Sequence, residues 1–293
     1  MINYDHLDAP AQRCMELSDN DRIAKIKKGT WLGYTKATQI IEKLSELLKS
    51  PKKHRMPNLL IHGETNNGKT SIVDRFCEIN PAIDNEDGNT ITIPALYVPT
   101  PPTPDESRFY NAIFEALGAV YPSNEKAENK QIRALKLLKN LNVKMLILDE
   151  IQHIVAGPIS KQRIYLNVIK HFGNELRIPI IAVGIRDAFN AIYSDSQLAN
   201  RFESVKIPRW VYNNEYLRLL DSFEKVIPIK NRSDLIDDKI SEKILVMSEG
   251  TIGEINEILI EAAVLAIKTK VEKINVKILN SIDWVLPSER KRM

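Results

Sequence analysis

Apolar positions in this chain follow two patterns that take turns along its first two hundred residues. Short apolar runs stand at Asn58-Leu59-Leu60-Ile61-His62, at 144–150 and at 178–184, with a β-branched alternating run over 90–98 and a brief one over 205–207. Runs of this length predict strands, buried where both alternations are apolar. Between them the apolar spacing becomes helical. Residues 35–48 place Ile40, Ile41, Leu44, Leu47 and Leu48 on one face, and similar spacing predicts helices at 71–76, from 104 to about 117, and at 131–141, 163–176 and 187–193. Strands alternating with helices predict a mostly parallel sheet covered on both faces. From 213 onward the strand pattern stops, and helices expected at 215–226, 237–248, 253–268 and 276–285 make a small all-helical domain. Residues 1–30 are polar and mixed in charge, with one short helix expected over 11–17, and read as an extension ahead of an α/β domain at 31–212 and a helical domain at 213–293.

Turn chemistry supports this layout. Pro99-Thr100-Pro101-Pro102-Thr103-Pro104 ends the strand at 90–98, with Thr103 placed to cap the next helix, Pro104 at its first position, and Asp105 and Glu106 in its first turn. Composition adds bounds. The 293 residues are 43% hydrophobic and 27% charged, which suits a folded globular chain, and a net charge of +3 permits a local nucleic-acid patch without demanding one. Cys14 and Cys77 fit no metal or redox spacing. With no apolar run of spanning length, and with Met1-Ile2-Asn3-Tyr4-Asp5-His6 unlike a secretory signal, the expectation is a cytoplasmic protein without a membrane partner. Lys49-Ser50-Pro51-Lys52-Lys53-His54-Arg55 is a basic connector, readable as a solvated linker or as a nucleic-acid or partner patch.

The chemistry centres on Gly63-Glu64-Thr65-Asn66-Asn67-Gly68-Lys69-Thr70, set between an expected strand and an expected helix that opens at Ser71. Such a turn aims backbone N–H groups and a positive helix end at one point, which suits a polyphosphate. There Lys69 would reach the β- and γ-phosphates and the Thr70 hydroxyl would bind Mg²⁺. A second apolar strand, Lys144-Met145-Leu146-Ile147-Leu148, ends in Asp149-Glu150. Asp149 can serve the metal shell, and Glu150 can polarise the water that attacks the γ-phosphate. A strand ending in solvated acids is the plainer alternative, and the loop is what makes the pair informative.

A phosphate loop, an acidic strand end, a further strand, an arginine beyond it and a terminal helical domain together resemble the AAA+ ATPases: a P-loop αβα sandwich with a parallel sheet, followed by a small helical lid. Trp31-Leu32-Gly33-Tyr34, then Arg55-Met56-Pro57-Asn58-Leu59-Leu60 and the Asn66-Asn67-Gly68-Lys69 loop, resemble the TniB/TnsC transposition ATPases within that class. So do Ala182-Val183-Gly184, Arg186-Asp187-Ala188 and Asp195-Ser196-Gln197-Leu198-Ala199-Asn200-Arg201-Phe202. The resemblance implies an ATP- and Mg²⁺-dependent bacterial regulator of DNA transposition. Such a protein forms rings or filaments on double-stranded DNA, recruits a DDE transposase and answers to a target-selection adaptor of the TniQ kind. It implies that residues Gly63 to Ser71 hold the nucleotide, Trp31 and Tyr34 lie near the adenine, Thr70 and Asp149 serve Mg²⁺, and Lys69 and Glu150 act in hydrolysis. Arg201 becomes an arginine finger for a neighbouring copy, with a surface ion pair as its alternative. DNA contact would be to phosphates, with Lys126, Lys130 and Arg133 as candidates that a solvated helix face explains as well.

Two departures qualify the resemblance. Gly184 stands where many AAA+ chains carry Asn or Thr, leaving a sensing role unassigned, with Arg186 nearby. Gly250-Thr251-Ile252-Gly253-Glu254-Ile255 lacks the arginine many relatives carry at a lid helix, which points to slow hydrolysis. A helicase loader of the DnaC/IstB type and a DNA-independent nucleotide switch are the competing readings.

Overall fold

The computed structural model describes residues 4–85, 90–193 and 196–290. Asp195 and the residues Met1-Ile2-Asn3, named in the sequence expectations, therefore lie outside the described residues. Contacts divide the chain into two units, one of Lys36–Ile207 and one of Met1–Thr35 with Pro208–Met293.

In the first unit the strands are β1 (Asn58–Gly63), β2 (Ile83–Asp84), β3 (Ile91–Thr92), β4 (Leu96–Pro99), β5 (Leu146–Asp149), β6 (Ile180–Gly184) and β7 (Phe202–Ile207). Five of them form one sheet in the order β4-β5-β6-β1-β7, and β2 and β3 form a separate ribbon. Every neighbouring pair in the large sheet is parallel, with Leu59 opposite Ile181 and Asn58 opposite Phe202. All five strands therefore end on the same edge, where Gly63, Pro99, Asp149, Gly184 and Ile207 stand. In open α/β sheets that edge is where ligands bind.

The period of two decides how the sheet is covered. Leu60, Val98, Leu146, Leu148, Ile180 and Ala182 join one core cluster with Phe109, Tyr110, Tyr165 and Phe172 from the helices Glu106–Ala116 and Ile159–Leu176. The alternate residues Leu59, Ile61, Ile147, Ile181 and Val183 are fully buried as well. A sheet buried on both faces is the expected sandwich. The expected strand at 90–98 is two pieces, because Pro94 interrupts it between β3 and β4. Asp105, not Thr103, caps the next helix by accepting from the Arg108 N–H at 2.9 Å.

The second unit is helical among its described residues, with helices Asn214–Val226, Asp238–Ser248, Ile252–Lys268, Val276–Ser281 and Pro287–Arg290. The N-terminal residues, expected as an extension, belong to it. Two helices form there, Ala9–Cys14 and Asp19–Lys28, the second capped by Ser18. Arg22 is 1% exposed and reaches Glu272 with both terminal nitrogens, at 3.0 and 2.6 Å, and Asp19 at 2.7 Å. Ile26 enters the same core cluster as Leu259 and Ile260. No helix among the described residues is long and apolar enough to cross a membrane.

Candidate functional site

At the end of β1 the chain enters the loop at Gly63. An added Cβ there would lie 2.7 Å from the Ile207 carbonyl oxygen, so β7 leaves room only for glycine. Asn66 and Gly68 both take left-handed backbone, φ 58° and 77°, which turns the loop back over the strand. Asn67 is buried and donates from Nδ2 to the Ile207 carbonyl at 3.2 Å, fixing the loop to the end of β7. The helix Lys69–Ile79 follows with no side-chain cap at Gly68, and its first N–H groups therefore remain directed along the axis toward the loop. Lys69 is 6% exposed; its ammonium donates to the carbonyls of Gly63 and Glu64, at 3.2 and 2.6 Å. Burial pulls the Lys69 pKa below its ordinary value, against the opposing pull of Glu150, Asp149 and Glu64.

β5 brings the acidic pair to the same edge. The Thr70 hydroxyl donates to Asp149 Oδ2 at 2.8 Å, the Tyr97 hydroxyl donates to the same oxygen at 2.9 Å, and the Glu150 N–H donates to Oδ1 at 2.8 Å. Asp149 is buried, and these donors satisfy its oxygens. Burial, then the bond to Asp149, pushes the Tyr97 pKa well above its ordinary value. A hydroxyl beside a carboxylate is a hard oxygen pair of the kind that suits Mg²⁺, which takes one or two carboxylates and completes its shell with phosphates and water. Among the described residues no cluster of three or more His, Cys, Asp or Glu competes for a metal. Glu150 is exposed, has left-handed backbone at φ 55°, and its carboxylate accepts from the Gln152 side-chain amide.

The remaining candidates lie elsewhere. Arg201 precedes β7 and so stands at the opposite edge of the sheet from the loop. It donates to Asn174 Oδ1 at 2.8 Å and lines a cavity of about 480 Å³ with Lys53, Arg55, Met56, Pro57, Gln197 and Asn200. The basic connector thus contributes two of the three cations there. Lys130 and Arg133, expected as DNA candidates, are engaged within the fold instead. Lys130 is 3% exposed and donates to Ser107 Oγ at 3.0 Å; Arg133 pairs with Glu125 at 2.8 Å and lies over the Phe114 ring. Lys126 is exposed at the start of the helix Ala127–Asn140. Trp31 and Tyr34 fall in the helical unit, where Tyr34 packs edge-on against Trp210, ring centroids 5.2 Å apart, and burial raises its pKa to about 12. Tyr97 and Gln152 had no sequence signal beyond their closeness to the acidic strand.

A family model for the bacterial TniB protein matches residues 22–212, more than half of the chain. The chain is also similar to the Aeropyrum pernix ORC1 protein solved in complex with DNA: 17% identity, TM-score 0.60, 96% of this chain and 69% of that one covered. The A. pernix ORC2 protein, in its ADPNP-ADP complexes, gives 15% identity and TM-score 0.61 over 88% of this chain and 70% of that one. Domain III of the Thermotoga maritima replication initiation protein DnaA gives 14% identity and TM-score 0.54 over 95% of each chain. At these identities the likeness is one of fold. No curated protein matches the sequence.

Proposed function

This chain belongs to the bacterial TniB family, and we propose that it is an ATP-dependent AAA+ regulator of DNA transposition. In this reading copies assemble on duplex DNA, mark a target site, recruit a DDE transposase and answer to a TniQ-like adaptor. The family match and the AAA+ fold, an αβα sandwich with a helical unit, support an ATPase that acts on DNA. The observation that carries the nucleotide role is the meeting of Lys69, Thr70, Asp149 and Glu150 at one sheet edge, with Thr70 and Asp149 2.8 Å apart.

Lys69 exchanges its two carbonyl partners for phosphate oxygens, and the helix N–H groups that follow add to the cradle. Residues Gly63 to Ser71 wrap the phosphates. Thr70 and Asp149 hold Mg²⁺, which supplies charge neutralisation on the phosphates when bound. Glu150 orients the attacking water and accepts its proton. Arg201 acts on the nucleotide of a neighbouring copy, so ATP strengthens the contact between copies and hydrolysis loosens it.

Sedimentation with duplex DNA, with and without a non-hydrolysable ATP analogue, tests this reading. Large assemblies are expected only when DNA and analogue are both present, and Lys69→Ala should not form them. Assembly indifferent to nucleotide, or unchanged in Lys69→Ala, would refute it.

A further inference from the structure

The end of β6 poses a question that the glycine there answers. Gly184 does not take left-handed backbone, so its need for glycine is one of space. An added Cβ would stand 2.4 Å from Gln152 Oε1, closer than to Ala188 or Ile151. The Gln152 side chain therefore occupies the volume that a side chain from the end of β6 would fill. Both ends of its amide are used. Oε1 accepts from the Ile185 N–H at 3.2 Å, and Nε2 donates to Glu150 Oε2.

These contacts tie the turn after β5 to the chain leaving β6, its neighbour in the sheet. Ile185 continues β6 into the helix Arg186–Tyr193, while Glu150 follows β5 in left-handed backbone that leaves its carboxylate exposed. An exposed glutamate has several rotamers of similar energy, and only some point toward a water beside the γ-phosphate. An amide anchored on a strand end removes that freedom, because it grips one carboxylate oxygen and leaves the other to accept a proton.

We propose that Gln152 is the positioning residue for Glu150: its amide, seated over Gly184 and anchored on the Ile185 N–H, fixes the glutamate that activates water. It supplies from the turn after β5 the polar group that β6 itself lacks at Gly184. The proposal rests on the ATPase reading above and concerns the same site.

Glutamine and glutamate have nearly the same shape, which gives the decisive variant. Gln152→Glu can still accept from the Ile185 N–H, but it cannot donate to Glu150 and sets a like charge beside it. Gln152→Ala removes both contacts. Single-turnover hydrolysis and nucleotide binding would be measured on the full chain with DNA, for wild type, Gln152→Ala, Gln152→Glu and Glu150→Gln, with thermal unfolding of each. Both Gln152 variants should bind ATP as wild type does, unfold at an unchanged temperature, and hydrolyse roughly tenfold to a hundredfold more slowly. A Gln152→Glu protein with wild-type turnover would overturn the proposal, since the amide would then serve only the backbone. So would a loss of turnover matched by lost ATP binding or lost stability. A wild type that does not hydrolyse ATP would overturn both this proposal and the ATPase reading, whereas Glu150→Gln turning over normally would overturn this proposal and leave the ATPase reading standing. Slow Glu150→Gln beside normal Gln152 variants would overturn the proposal alone.

Discussion

A mixing experiment tests whether the arginine works between copies. Arg201 stands one residue before β7, whose Phe202 lies opposite Asn58 and whose Ile207 lies opposite Gly63. Six steps along extended strands at ~3.3 Å each place its Cα roughly 20 Å from the start of the phosphate loop, beyond the reach of one side chain. Glu150→Gln removes the group that activates water and keeps the loop and the arginine; Arg201→Ala keeps Glu150 and removes the arginine. Alone, neither variant can form an interface holding both groups. In an equal mixture with random neighbours, about one interface in four joins an intact Glu150 to an intact arginine, so turnover per copy should recover to about a quarter of wild type. Phosphate release on duplex DNA would be followed across mixing ratios, with co-sedimentation showing that the variants assemble together. Arginine action within one copy demands that no ratio recover activity. A mixture that co-sediments yet stays as slow as its components would refute the reasoning.

Tyr97→Phe removes one of the donors that hold Asp149, and should raise the Mg²⁺ concentration needed for half-maximal hydrolysis roughly tenfold while leaving stability nearly unchanged; an unchanged Mg²⁺ dependence would refute a role for the hydroxyl. Gly63→Ala drives a methyl against a backbone oxygen that cannot give way, so a loss of about 1–3 kcal/mol is expected in urea unfolding, together with weakened nucleotide binding. Arg22→Met leaves the buried Glu272 carboxylate without its guanidinium and should cost about 3–5 kcal/mol at neutral pH in the same assay. The pH dependence of that cluster has a fixed sign. Lys270 and then Arg22 hold the Asp19 pKa down at about 2, and Arg22 and Lys230 keep Glu272 below its ordinary value although burial alone would raise it. Both carboxylates are more acidic folded than unfolded, so their stabilisation is complete above the unfolded values near about pH 4 and disappears as pH falls toward the folded ones. Wild type should lose stability across that acidic window more steeply than Arg22→Met; equal slopes would refute the assignment.

The parts of this molecule that could be read from sequence are those whose chemistry is local. A phosphate cradle needs a strand, a glycine turn, a lysine and a helix within about a dozen consecutive residues, so the strand, turn and helix expected from 58–70 are those the structure forms. The acidic pair is legible because three buried apolar strand residues, Leu146 to Leu148, run straight into it. Contacts across long stretches of chain leave no such trace. Arg22 and Glu272 are 250 residues apart, and nothing periodic in 1–30 announces that the segment packs with the C-terminal helices. Lys130 and Arg133 have the spacing of a solvated helix face, but Ser107, Phe114, Tyr121 and Glu125 take them up. Gly184 looked like a missing side chain because the group that fills its place comes from another strand end.

β7 shows how few residues can link the functions assigned to different ends of the sheet. It is an edge strand, paired with β1 alone, and its middle residues are more exposed than those of β1, β5 or β6. Its N-terminal end follows Arg201, whose carbonyl accepts from the Asn58 N–H at 2.9 Å. Its C-terminal end is Ile207, whose carbonyl accepts from Asn67 and lies against Gly63, and the next residue, Pro208, opens the other unit. Parallel pairing over six positions joins β1 to β7 along their whole length. The strand at the open edge of the sheet thus has Arg201 immediately before it, the phosphate-type loop hydrogen-bonded to its last residue, and Pro208 immediately after it.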